Sequence, residues 1–158
     1  MEFNLFTLVF LVATLGYVIT LLWLNVRQDK AVIKSFNAVP KEFEAKITLE
    51  DHQKAAEYTQ AKLKVNHFEI IFSTVVLLTW TLGGGLNYLD NIWQAQSNNA
   101  LYIGVGFIIS LIVIGSLIDL PFSIYRTFVI EQKFGFNKMT AGTFIGDLIK
   151  EVLITLAI

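Results

Sequence analysis

Three long stretches of this chain, residues 3–24, 70–88 and 101–118, carry no Asp, Glu, Lys or Arg, and they dictate the solvent in which it can fold. An α-helix needs about 20 apolar residues to cross the hydrocarbon core of a bilayer, and it satisfies its backbone N–H and C=O groups within its own segment. The runs measure 22, 19 and 18 residues. The expected fold class is therefore all-α: a polytopic membrane helix bundle with three full spans, the start of a fourth helix, and a long helical cytosolic loop. Composition agrees, because 54% of the 158 residues are hydrophobic and only 16% charged, against about 25% charged in a soluble domain. The first run follows Met1 and Glu2 directly and is too long for a signal peptide, so it reads as a retained span.

The charges between the runs alternate. Of twelve Lys and Arg, eight lie in the loop 25–67, none lies between the second and third runs, and Arg126, Lys133 and Lys138 follow the third. The positive-inside rule then predicts that loop 25–67 and segment 119–140 are cytosolic, with the N-terminus and loop 90–100 outside. Tyr88, Trp93 and Tyr102 gather near the outer boundary, and Trp23 stands at the inner end of the first span, where interfacial rings prefer to sit.

Local signals refine this outline. Thr48, followed by Asp51 three residues later, reads as a helix start that runs into the second span, and Val39-Pro40 reads as a break before it. Gly83, Gly84 and Gly85 loosen the far end of that span. Pro121 is expected to kink or end the third. Phe122, Tyr125, Phe128 and Val129 recur at helical spacing after it, and Gly135 is a plausible stop. A further segment, 141–158, contains a Gly142/Gly146 pair that suits close helix approach. Only seven apolar residues follow its last charge, Glu151, so the expectation is a truncated helix and a piece of a longer protein.

Chemistry-bearing residues are sparse. There is no Cys, and only two His occur, His52 and His67, outside any metal-ligand spacing. His52 is expected as a solvated surface side chain and His67 as an interfacial one. No ionisable group lies mid-span, which argues against an ion-coupled transporter, and the net charge of −1 argues against nucleic-acid binding. No catalytic, cofactor-binding or metal-binding residue is assigned.

The segment Asp119-Leu-Pro121-Phe122-Ser, then Phe128-Val-Ile-Glu131 and Gly135-Phe136-Asn137-Lys138, resembles the signature that follows the third span in the type I CAAX prenyl proteases. The first loop is similar too, with Arg27-Gln28 after the first span, Val39-Pro40, Lys54, Tyr58 and Lys62. What the resemblance implies is the N-terminal membrane domain, 1–158, of a zinc metalloendopeptidase that cleaves prenylated CAAX sequences. The family's His-Glu-x-x-His zinc site falls outside this sequence, so no cofactor is expected in this chain and zinc only in the catalytic portion. Expected partners are the lipid bilayer, a catalytic peptidase domain in cis or trans, and a prenylated or other membrane-associated peptide. The alternative is a stand-alone membrane scaffold, regulator or lipid-peptide binder without peptidase activity. The short N-terminus and the lack of a retention signal favour a bacterial inner membrane over the endoplasmic reticulum.

Overall fold

A computed structural model describes residues 4–157, and among them every regular element is helical. The expected span start at Phe3 and the chain end at Ile158 lie outside the described residues. Residues up to Leu82 form one compact unit and those from Gly83 a second.

In the first unit α1 (Leu5–Ser35) begins at Asn4, whose side-chain oxygen accepts from the Thr7 N–H at 2.9 Å and from the Thr7 hydroxyl at 3.1 Å. This helix does not stop where charges appear after Leu24 but continues through Arg27 and Lys30. Turns at Pro40–Phe43 and Phe43–Ile47 lead the chain back to α2 (Leu49–Thr81). Thr48 caps α2 by accepting from the Asp51 N–H at 3.1 Å. The Asp51 carboxylate, rather than reaching back to the Thr48 N–H, accepts from the Thr48 hydroxyl at 2.7 Å. Asn25 lies opposite Leu63 and Ser35 opposite His52, so the two helices run antiparallel.

The second unit opens with Gly84 at φ 85°, a left-handed conformation that glycine adopts without steric cost. It releases the chain from α2 into α3 (Gly85–Gln96), so the expected outer loop 90–100 is mostly helix. Asn99 then caps α4 (Ala100–Tyr125), accepting from the N–H groups of Leu101 and Tyr102. Pro121 does not end α4: the chain passes through it into a single wide π-helical stretch, Arg126–Glu131, and a last turn, α5 (Gln132–Phe134). Pro121 lacks the N–H that Leu117 O would otherwise accept, and a π turn is one way a helix absorbs irregular backbone bonding. After Gly135 the helix α6 (Ala141–Ala157) starts under a Thr140 cap to the Thr143 N–H at 3.1 Å.

The apolar side chains point outward. Leu101 is 76% exposed and Phe6 78%, while the described buried apolar residues are only Ala56, Leu89, Ile130 and Phe134. Such a surface is stable when lipid is the solvent. Thr20, Thr74, Thr79 and Thr81 each return their hydroxyl to the carbonyl four residues earlier, at 2.7–2.8 Å, which spares a polar O–H from facing hydrocarbon unpaired.

Candidate functional site

The motif residues of the first unit lie along its two helices. Arg27 and Gln28 sit on α1 where the apolar run gives way to charge, and the Arg27 guanidinium stands 5.4 Å from the Trp23 ring centre. Pro40 opens the connecting turn, its carbonyl accepting from the Phe43 N–H at 2.8 Å. Lys54, Tyr58 and Lys62 fall at four-residue intervals on α2, and Lys62 Nζ lies 5.1 Å from the Tyr58 ring centre.

Sequence reasoning passed over Asn25, which is 6% exposed between the two helices. Its Nδ2 donates to Leu63 O at 3.1 Å, which fixes the amide orientation and leaves Oδ1 buried without a hydrogen-bond partner. A notch of about 120 Å3 adjoins it, lined by Asn25, Val26, Asp29, Leu63, Lys64 and His67. The sequence signal was available, because Asn25 is the first strongly polar residue after the apolar run, but nothing in the pattern says that it faces inward.

In the second unit the motif forms a helix end and a turn. Asp119, Pro121 and Phe122 lie in the last part of α4, and Phe128 and Glu131 in the π stretch. Gly135 takes φ 77°, its N–H bonds Gln132 O at 3.2 Å, and the Phe136 N–H bonds Glu131 O at 2.9 Å. This is a Schellman ending, which calls for glycine where it stands. Asn137 continues the turn: its Nδ2 donates to Gln132 Oε1 at 2.9 Å and its Oδ1 accepts from the Met139 N–H at 2.7 Å. Phe128 meets Phe144 of α6 edge to face at 5.4 Å, while Ile130 and Phe134 are buried. Lys138 is exposed on the outgoing strand of the turn. The Gly-Phe-Asn-Lys residues therefore hold a backbone shape, and Glu131 serves it through its carbonyl oxygen.

Neither histidine stands in a ligand cluster. The Nε2–H of His52 donates to Ser35 O at 2.8 Å, tying the first turn of α2 to the end of α1 where a solvated side chain was expected. Fifteen residues separate it from His67 on the same helix, roughly 22 Å at 1.5 Å per residue. Among the described residues no three His, Cys, Asp or Glu come together to hold a metal. The donors present do not fit a metallopeptidase zinc site, which needs three protein ligands.

Comparison with known proteins agrees with the motif. Residues 28–158 match the family model described as CAAX prenyl protease N-terminal, five membrane helices. The chain is 32% identical over 140 residues to a CAAX prenyl protease 1 homolog of Dictyostelium discoideum, covering 84% of this chain and 32% of that protein. It is 35% identical over 138 residues to the Caenorhabditis elegans homolog, covering 86% and 30%. The crystal structure of S. mikatae Ste24p superposes with a TM-score of 0.83 at 26% identity, covering 99% of this chain and 37% of that one. The chain thus spans about a third of the length of these relatives. They are eukaryotic, which overturns the preference for a bacterial inner membrane. A short N-terminus and a missing retention signal do not physically distinguish one host membrane from another, so the sequence held no basis for that preference. The chain belongs to the CAAX prenyl protease family, as its N-terminal membrane domain.

Proposed function

We propose that this domain supplies part of the wall of a membrane enclosure and a docking platform for the catalytic peptidase portion of a CAAX-prenyl-protease-type enzyme, in cis or in trans. The platform is segment 119–140, and one observation carries it. The π stretch and Schellman turn bury Ile130 and Phe134 but leave Tyr125, Val129 and Phe136 between 46% and 50% exposed on an otherwise hydrogen-bonded scaffold. A rigid turn that presents apolar and aromatic side chains has the character of an interface. The catalytic portion brings the zinc and its general base, and the substrate is a prenylated or similar membrane-associated peptide.

Spanning helices would build the wall. Helix α1 and the continuous helix from Ala100 to Phe134 are each long and apolar enough to span a bilayer, and α2 with α3 qualify when counted together as one broken span. The test is to measure zinc content and cleavage of a prenylated peptide with the purified chain alone and after mixing with the catalytic portion of a relative. Metal and turnover are expected only with the catalytic portion, and Val129→Glu is expected to weaken its association. Stoichiometric zinc with cleavage from this chain alone would overturn the reading.

A further inference from the structure

We infer that the notch beside Asn25 holds the headgroup of an aminophospholipid, one whose primary ammonium donates hydrogen bonds and whose phosphate accepts them.

Position argues for a lipid. The notch lies where both helices leave the apolar region: Leu24 ends the uncharged run on α1, and Ile70 begins the one on α2. Trp23, Leu24, Phe68 and Ile71 around this level are between 46% and 62% exposed, so acyl chains would find apolar surface beside the notch. Chemistry narrows the headgroup. Asn25 Oδ1 is a buried acceptor with no donor, and Leu63 O prevents the amide from turning to offer its NH2 instead. A buried acceptor left in that state destabilises the fold, so a donor that reaches it is favoured. Asp29 follows Asn25 by four residues and so occupies the same face of α1 one turn on. An ammonium between the amide oxygen and the carboxylate would satisfy both. Lys64, exposed at the rim, supplies the cation for a phosphate.

The notch offers about 120 Å3, room for an ethanolammonium arm. Oδ1 has less than 1 Å2 exposed, so binding requires the flexible rim side chains to give way. A choline headgroup fails on chemistry, because its trimethylated nitrogen has no N–H to donate.

The test is native mass spectrometry of the full chain in detergent, titrated in parallel with dioleoyl-phosphatidylethanolamine and dioleoyl-phosphatidylcholine. The ethanolamine lipid is expected to bind about three- to ten-fold better, the size of one partly screened charge-assisted hydrogen bond. Asp29→Asn, which keeps the shape of the notch, should bring the ratio towards one, whereas Lys64→Gln should weaken both lipids alike, because both carry the phosphate. Circular dichroism melting confirms that both variants remain folded. Equal binding of the two lipids by the native chain, a preference that survives Asp29→Asn, or binding of both lipids undiminished by Lys64→Gln would overturn the assignment. So would displacement of the lipid by an equal concentration of soluble phosphoethanolamine, which would make the ligand a small molecule rather than a membrane lipid.

Discussion

Gly106 is the residue where absence of a side chain matters most. A Cβ built there would lie 2.5 Å from the Trp93 ring, which packs flat against the bare backbone of α4. Trp93 also donates its Nε1–H to Ser110 Oγ at 3.0 Å and meets Tyr102 edge to face at 5.5 Å. One indole therefore joins α3 to α4 by packing, a hydrogen bond and a ring contact. Gly106→Ala should cost about 1–3 kcal/mol, the usual penalty for overpacking. Thermal unfolding in detergent measures it, and in a Trp93→Leu background the same substitution should cost little, since the obstructing ring is gone. The sequence places Gly106 and Ser110 four residues apart, small side chains at a spacing that suits close approach of another helix. It could not show that the partner is Trp93, because the same residue equally suits the membrane interface, and only the α3–α4 hairpin brings it within reach.

The elements show the same division between what is local and what is not. Caps were legible because their chemistry spans three or four residues: Thr48 starts α2, and Gly135 stops the helix before the Asn137 turn. Gly135→Ala should cost about 1–2 kcal/mol, since a Cβ is disfavoured at its φ of 77°. Thr48→Ala should cost about 1 kcal/mol through the lost bond to the Asp51 N–H. Chemical denaturation of the two single variants and the double checks both values, which should add because the sites lie in different compact units. Helix ends outside the lipid were not legible. Helix α1 runs for 31 residues, roughly 46 Å at 1.5 Å per residue, well beyond the ~30 Å of a bilayer core. Charge marks where hydrocarbon stops and says nothing of where the helix stops. Pro121 misleads for a related reason: its missing N–H is a local fact, and it does not tell that the chain continues into a π stretch and a last turn in which Ile130 and Phe134 are buried.

At the scale of the molecule the open structural quantity is parity, the number of times the chain changes sides. Helix α1 and the helix from Ala100 to Phe134 qualify as crossings on their own, whereas α2 and α3 do so only as a pair interrupted at Leu82–Gly84. If the pair crosses, Lys41 and Lys138 share one side of the membrane and Asn98 lies on the other. If it does not, Lys41 and Asn98 share a side and Lys138 stands opposite. The chain has no native cysteine, so single cysteines at these three positions report without background. Labelling of sealed vesicles with a membrane-impermeant maleimide should group Lys41→Cys with Lys138→Cys and set Asn98→Cys apart: Asn98→Cys should need opened vesicles if the other two react in sealed ones, and should react in sealed vesicles if the other two need them opened. The grouping tests the crossing count whichever way the protein faces. It bears on function as well, because three crossings put the water-facing turn of α1 and α2 on the same side as the 119–140 platform, while two would separate them by a bilayer.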